Sequence, residues 1–174
     1  MHTKEEKNLS AVIVYFSREG NNYVNGSIVN LKTGNTEIAA NVIRELTGAE
    51  IFRLEPMKAY SADYTECTKE AQAELRANAR PAVKALPDIS GYDTVYLGYP
   101  NWWGTCPMCV FTFIESQDWA GKTVKPFCTH EGSGMGHSES DLKKACAGAD
   151  VKKGLALHGA DVLKAKAAIQ NWID

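Results

Sequence analysis

The sequence has no long apolar run. Its first ten residues, MHTKEEKNLS, are polar and form no signal-peptide core, and no later stretch is long enough to span a bilayer. We therefore expect a cytoplasmic protein with no membrane partner. Charge of one sign is missing too. Nineteen Lys and Arg against 21 Asp and Glu give a formal net charge of −2, which supplies no basic field to attract nucleic acid. The five cysteines, at 67, 106, 109, 128 and 146, are an odd number in a chain without an export signal. They suggest reduced thiols, not a disulfide framework. Four histidines, at 2, 130, 137 and 158, share no metal-ligand spacing with one another or with the cysteines, which argues against a metal site. A P-loop is absent as well. In GKT at 121–123, the motif's first glycine would fall at Ser116, and the segment precedes a strand instead of following one.

What is present is ordinary for one globular domain. The 174 residues are 44% apolar, enough for a sizeable core, with residues 1–9 as a polar tail. SAVIVYFS reads as a parallel strand covered on both faces. After a polar insertion over 18–32, Ile38, Val42 and Leu46 recur at helical spacing beside Ala39 and Ile43, and Gly48 stops the helix. AEIFRLEP is a second strand. The segment from Ala62 to Arg80 is a long helix with Cys67, Ala71 and Leu75 on one side, ended by Pro81. DTVYLGYP is a third strand, leading through NWWGTC to a helix that begins at Pro107. KTVKPFCTH and VKKGLALHG supply strands four and five, with a short helix between them, and a last helix carries Val162, Leu163, Ile169 and Trp172. Pro126 conflicts with a central strand, where it forfeits a ladder donor. The alternation predicts an α/β fold, a parallel sheet with helices on both faces.

In such a sheet ligands bind at the carboxyl ends of the strands. Three loops stand there. Thr33, Gly34, Asn35 and Thr36 lie at a helix start, where free N–H groups and the helix dipole suit a phosphate; plain capping would use the same residues. PNWWGTCP, residues 100–107, places two indoles side by side, suited to stacking on a flat partner. THEGSGMG, residues 129–136, offers glycines, hydroxyls and backbone donors. An anion hole, an aromatic wall and a polar edge are what a phosphorylated planar heterocycle such as FMN requires.

VIVYFSREGNNYVNGSIVNLKTGNTEIA, YLGYPNWWGTCP and PFCTHEGSG, in this order, resemble the flavodoxin family, especially its bacterial members with an insertion inside the phosphate loop. The likeness spans nearly the whole chain. It implies a flavodoxin-like doubly wound five-stranded sheet of order 2-1-3-4-5 and FMN held noncovalently. By this resemblance Ser17, Thr33, Asn35 and Thr36 grip the phosphate, with Gly34 allowing close backbone approach. Pro100, Asn101, Trp102, Trp103, Gly104 and Thr105 wall one side of the ring system, Trp103 being the closer ring, and a peptide near Gly104 hydrogen-bonds the flavin. Thr129, His130, Glu131, Gly132, Ser133 and Gly134 form the second flavin loop. The insertion departs from the shorter family pattern, and the resemblance leaves open whether its Tyr23 or Asn25 reaches the cofactor.

The function implied is electron transfer, with redox partner proteins or a small-molecule donor or acceptor. The alternative is an NAD(P)H- or quinone-dependent FMN oxidoreductase of the same fold, which the near-neutral charge favours. A third class, a phosphate-ligand module without redox chemistry, would leave the protein colourless. Because Thr33 to Thr36 include no Lys or Arg, the phosphate charge is expected to stay uncompensated and to lower the flavin potential. CPMC, residues 106–109, lies outside the family pattern. With Cys106 as helix cap and Cys109 in the first turn, it is either a redox-active dithiol or a pair of small space-filling residues.

Overall fold

The computed structural model describes residues 10–174, so the polar tail over 1–9 lies outside the described residues. The first strand, β1 (Ala11–Tyr15), has all five residues buried, as expected of a strand covered on both faces. It pairs in parallel with β4 (Glu50–Arg53) on one side and β5 (Thr94–Pro100) on the other. β5 pairs in parallel with β6 (Thr123–His130). Beyond β6 lie β7 (Asp150–Val151) and β8 (Leu155–His158), both parallel to it. With β7 and β8 counted as one interrupted strand and the insertion set aside, the order β4-β1-β5-β6-β7/β8 is the predicted 2-1-3-4-5.

The interruption accounts for Pro126. Val124 presents its carbonyl to the outer edge, accepting from Lys152 N at 2.9 Å, while Thr129 presents its carbonyl to the other side, accepting from Asn101 N at 2.8 Å. Backbone polar groups alternate sides along a strand, so Pro126 lacks its donor on the outer edge. That is where the neighbouring strand is broken, between Val151 and Leu155, and the missing hydrogen bond strands no partner. The expected continuous strand over 151–159 is thus two short pieces.

Two core layers follow from the alternation of side chains. On one face Val12, Val14, Phe16, Val95, Leu97 and Tyr99 meet α3 (Met108–Glu115) and Leu142 of α4 (Ser138–Ala145), with Leu75 of α2 (Tyr64–Arg76) packed against them. On the other, Ala11, Ile13, Tyr15 and Phe127 meet α1 (Asn35–Thr47) and α5 (Lys166–Ile173). The stripe of α1 is centred on Ala39, Ala40 and Ile43, all fully buried; Ile38, Val42 and Leu46 only flank it. Helix α2 ends at Arg76, before Pro81, and Asn78 has a φ of 49°. The last helix is a 3-10 segment (Gly159–Lys164) followed by α5, and Leu163 is 81% exposed instead of facing the core.

The insertion is not a loop. Residues Gly20–Val24 (β2) and Ser27–Leu31 (β3) form an antiparallel hairpin with its own two-stranded sheet. Its turn is Asn25-Gly26, with φ of 51° and 87°, the mirror-image turn whose twist matches two paired strands.

Candidate functional site

The site opens where β1 ends. Phe16 N still donates to Gly98 O at 3.0 Å, and the next residue, Ser17, is 4% exposed. Its Oγ accepts from Glu37 N at 3.2 Å. The first residue before α1, Gly34, offers no side-chain cap, so Ser17, reaching in from β1, does the capping. Thr33 and Asn35 make no such bond. Gly34 is needed for a steric reason. A Cβ there would stand 2.2 Å from Ser17 Oγ and 2.8 Å from Arg18 O, so the close approach it permits is between the two ends of the insertion. Thr36, 2% exposed, shares a 2.7 Å hydroxyl–hydroxyl bond with Thr129 of β6. Buried hydroxyls are costly without partners, and here three loops supply each other's.

Charged groups surround this cluster, contrary to the expectation of a neutral cradle. Arg18 Nη2 donates to Ser61 O at 2.7 Å and Ala62 O at 3.0 Å, and Nη1 donates to Asn21 O and to Asn22 Oδ1. Arg53 Nη2 donates to Ser17 O at 3.1 Å and to Glu19 at 2.6 Å, and Nη1 to Glu37 at 3.3 Å. This bond from Arg53 is the main reason that the Glu19 carboxyl sits below its usual range. Glu131 accepts from Asn25 N at 3.1 Å through Oε2, which also lies 3.4 Å from His158 Nε2. Its other oxygen, Oε1, is buried without a hydrogen-bond partner. Burial holds the His130 imidazole below its ordinary pKa, His158 lowering it further, and its Nδ1 accepts from Gly132 N at 2.9 Å.

The two tryptophans part company. Trp102 N donates to Thr105 O at 3.0 Å and Thr105 N to Trp102 O at 3.4 Å, which closes a tight turn with Trp103 at φ 58° and Gly104 at φ 91°. Trp102 packs edge-on against Phe16 and Tyr60, with ring centroids 5.2 and 4.9 Å away. Trp103 is 50% exposed and donates through Nε1 to Thr68 O of α2 at 2.9 Å. A bulky residue at positive φ is strained, and this one is held by bonds on both sides. Asn101 fixes the turn from beneath: its Nδ2 donates to Gly134 O at 2.8 Å and its Oδ1 accepts from Gly104 N at 2.9 Å. Gly104 O accepts from His137 N at 2.7 Å. The Gly104 N–H is therefore used within the protein, and its carbonyl already accepts one bond.

A cleft runs between these loops in two connected parts. The first cavity, of about 270 Å³, is lined by Ser17, Arg18, Asn22, Tyr23, Leu31, Asn35, Thr36, Tyr64, Pro100, Asn101, Trp102, Thr129, His130, Glu131 and Ser133. The second, of about 410 Å³, shares Arg18, Asn22, Tyr64, Asn101 and Trp102 and adds Cys67, Thr68, Ala71 and Trp103. Ten of the residues picked from the sequence thus meet in the first cavity, and Trp102, not Trp103, is its tryptophan. Thr33, Gly34, Gly104, Thr105, Gly132 and Gly134 line neither cavity. Of these, Thr105 is turned away, its Oγ1 donating to Asp141 at 2.6 Å, and Gly132 and Gly134 shape their loop at positive φ.

Sequence reasoning missed Arg18, Asn22 and Tyr64. The first follows Ser17 directly, and Asn-Gly at 25–26 was the signal for a hairpin that would bring Asn22 and Tyr23 inward; Tyr23 lies 6.1 Å from Tyr64, the rings stacked. The redox-dithiol reading of CPMC is not supported. The residue before α3 is Pro107, not Cys106, and both thiols are fully buried. Burial pushes Cys109 up to about 12 and Cys106 well above the ordinary thiol range. Both therefore stay protonated, and they fill space in the core. All five cysteines are free.

The description Flavodoxin belongs to the family whose profile matches residues 27–174. Among solved structures, a protein assigned as a flavoprotein from Bacteroides uniformis ATCC 8492 is 30% identical, with a TM-score of 0.74 over 95% of this chain and 97% of that one. A second, from Bacteroides eggerthii DSM 20697, is also 30% identical, at 0.74 over 95% and 96%. A flavoprotein in complex with FMN from Lactobacillus acidophilus NCFM shares the fold, at 19% identity and a TM-score of 0.64 over 90% and 97%. None of the curated proteins matches the chain. Among the described residues no helix is long and apolar enough to cross a membrane.

Proposed function

The chain belongs to the flavodoxin family, and from that premise we propose that it binds FMN noncovalently and works as an electron carrier in the cytoplasm. The observation that carries this reading is the convergence of Ser17, Thr36 and Thr129 at the start of α1, in a cleft whose far wall is Trp102. Each part of FMN finds suitable chemistry. The helix start and its hydroxyls suit a phosphate, and Arg18 adds positive charge beside them. Glu131 Oε1, buried and unpartnered, is an acceptor fit for a hydroxyl of the sugar-alcohol chain. Trp102 and Tyr64 suit the flat ring. FMN, when bound, supplies the redox chemistry, and the chain supplies position and electrostatic surroundings. With Arg18 and Glu131 both lining the cleft, the premise for a low potential based on neutral donors alone no longer holds.

FMN added to folded apoprotein should quench tryptophan fluorescence saturably and restore a flavin spectrum. Absence of uptake would refute the assignment. A second reading, an NAD(P)H- or quinone-dependent oxidoreductase, is favoured by the second cavity adjoining the first. Steady-state oxidation of NADPH with a quinone, without an added reductase, selects it; dependence on a partner protein selects the carrier.

A further inference from the structure

The outer edge of the hairpin is open. In a hairpin with a two-residue turn, facing residues exchange both backbone hydrogen bonds at every second position, starting beside the turn. Val24 with Ser27, Asn22 with Val29 and Gly20 with Leu31 are therefore the bonded pairs, and Tyr23 with Ile28 and Asn21 with Asn30 the unbonded ones. Residues of the unbonded pairs turn their N–H and C=O outward. On β2 that edge lies against the protein, where Asn21 O accepts from Arg18. On β3 it faces solvent. Ser27 to Asn30 are all exposed, and the outward backbone groups of Ile28 and Asn30 have no partner among the described residues.

Exposed strand edges are ordinarily guarded by charge, proline or a bulge. Residues 20–31, GNNYVNGSIVNL, contain no Lys, Arg, Asp, Glu or Pro, and their register runs without a bulge. A two-stranded sheet is also marginal by itself and gains from further strands. The occupant that fits is a second copy of the same edge. Two chains of net charge −2 can meet here with no charge on either side, so no like-charge contact opposes them. Antiparallel pairing of β3 with itself about Val29 sets Ile28 of each copy opposite Asn30 of the other. Every outward N–H of the strand then meets a carbonyl, and Val29 faces its own copy. Centring the pair on Ile28 or on Asn30 would engage only one of these two residues within the strand.

We propose that β3 is a self-association edge, through which two copies of this chain join their hairpins into a single continuous antiparallel sheet. Ile28, Val29 and Asn30 line neither cavity, so the proposal stands whether or not FMN is bound. Sedimentation of the full chain from micromolar to millimolar concentration should show a reversible dimer, and amide exchange at Ile28 and Asn30 should slow as the concentration rises. Val29→Lys sets like charges opposite each other and should weaken association about tenfold or more, while Val29→Thr, which keeps the branched side chain, should leave it nearly unchanged. Should Val29→Lys disturb the hairpin itself, Val29→Cys decides. With diamide as oxidant it should crosslink two copies much faster than Leu163→Cys, a change at a position 81% exposed. A chain that stays monomeric up to millimolar concentration overturns the proposal, as does a dimer that Val29→Lys leaves intact or that Val29→Cys crosslinks no faster than Leu163→Cys.

Discussion

The floor and the roof of the cleft are built by opposite means. The floor is Ser17, Thr36 and Thr129, each no more than 5% exposed, held by the bond from Glu37 N to Ser17 Oγ, 20 positions apart in the chain, and by that between Thr36 and Thr129, 93 apart. Those bonds exist only if β1, α1 and β6 are already packed. The roof is the hairpin, whose strands pair only with each other and expose Tyr23 by 41% and Ile28 by 53%. It reaches the rest of the protein through few links: Arg18 at its base, the Tyr23–Tyr64 stack, and Asn25 on Glu131. A region held by few contacts opens at lower free energy than one held by the core. The floor should therefore break only with the whole fold, and the roof should break alone.

The harshest test is Gly34→Ala. Its Cβ would overlap Ser17 Oγ and the Arg18 carbonyl, and the second is backbone that cannot rotate aside. Overpacking of this kind costs about 3 kcal/mol, so the expected result is a large loss of thermal stability together with loss of FMN uptake. Next comes Thr36→Val, isosteric but leaving the Thr129 hydroxyl buried without its partner. Here about 2 kcal/mol of global stability should go, read as a lower denaturant midpoint with an unchanged slope.

Gly26→Ala attacks the roof. The position has φ of 87° and nothing within 4 Å of an added Cβ, so the cost is backbone strain of about 1 kcal/mol. Amide exchange over residues 20–31 should speed up while the global melting temperature barely moves. A fall in melting temperature as large as that of Thr36→Val would show that floor and roof unfold as one unit, and the comparison would fail.

The same contrast explains what the sequence disclosed. The five buried residues of β1 and the glycine stop at Gly48 were legible because local pattern and final structure agree. Residues of the three loops were legible as site candidates because strand ends collect ligands. The roles within them were not. Ser17 caps α1 from a distance, Trp102 and Trp103 divide between core and surface, and Thr105 turns to Asp141; each outcome depends on contacts far apart in sequence. Cys106 and Cys109 were open between a dithiol and space-filling for the same reason, since a helix start lowers a thiol pKa only where burial does not raise it more, and both are fully buried. The hairpin is the opposite case. Its Asn-Gly turn was local and readable, but a polar segment between a strand and a phosphate-type loop was taken for an irregular insertion.

The smallest effect expected is at the seam between roof and floor, on His130. Its folded pKa lies below the ordinary value, mainly through burial and then through His158, with Glu131 opposing. Protonation would also turn Nδ1 from an acceptor into a donor facing the Gly132 N–H. The unfolded chain, with a histidine pKa near about 6.5, binds the proton more readily. Stability from His130 is thus fully present above that value, falls as the pH drops through about 6.5 towards the folded pKa, and is lost below it. In the apoprotein, the melting-temperature difference between wild type and His130→Gln should change across this window and level off above it. FMN should shrink the effect, because a phosphate in the same cavity favours the charged imidazole. A difference that grows in the opposite sense in the apoprotein would mean that Glu131, not burial, governs this histidine, and that the anchor of the roof tightens on acidification.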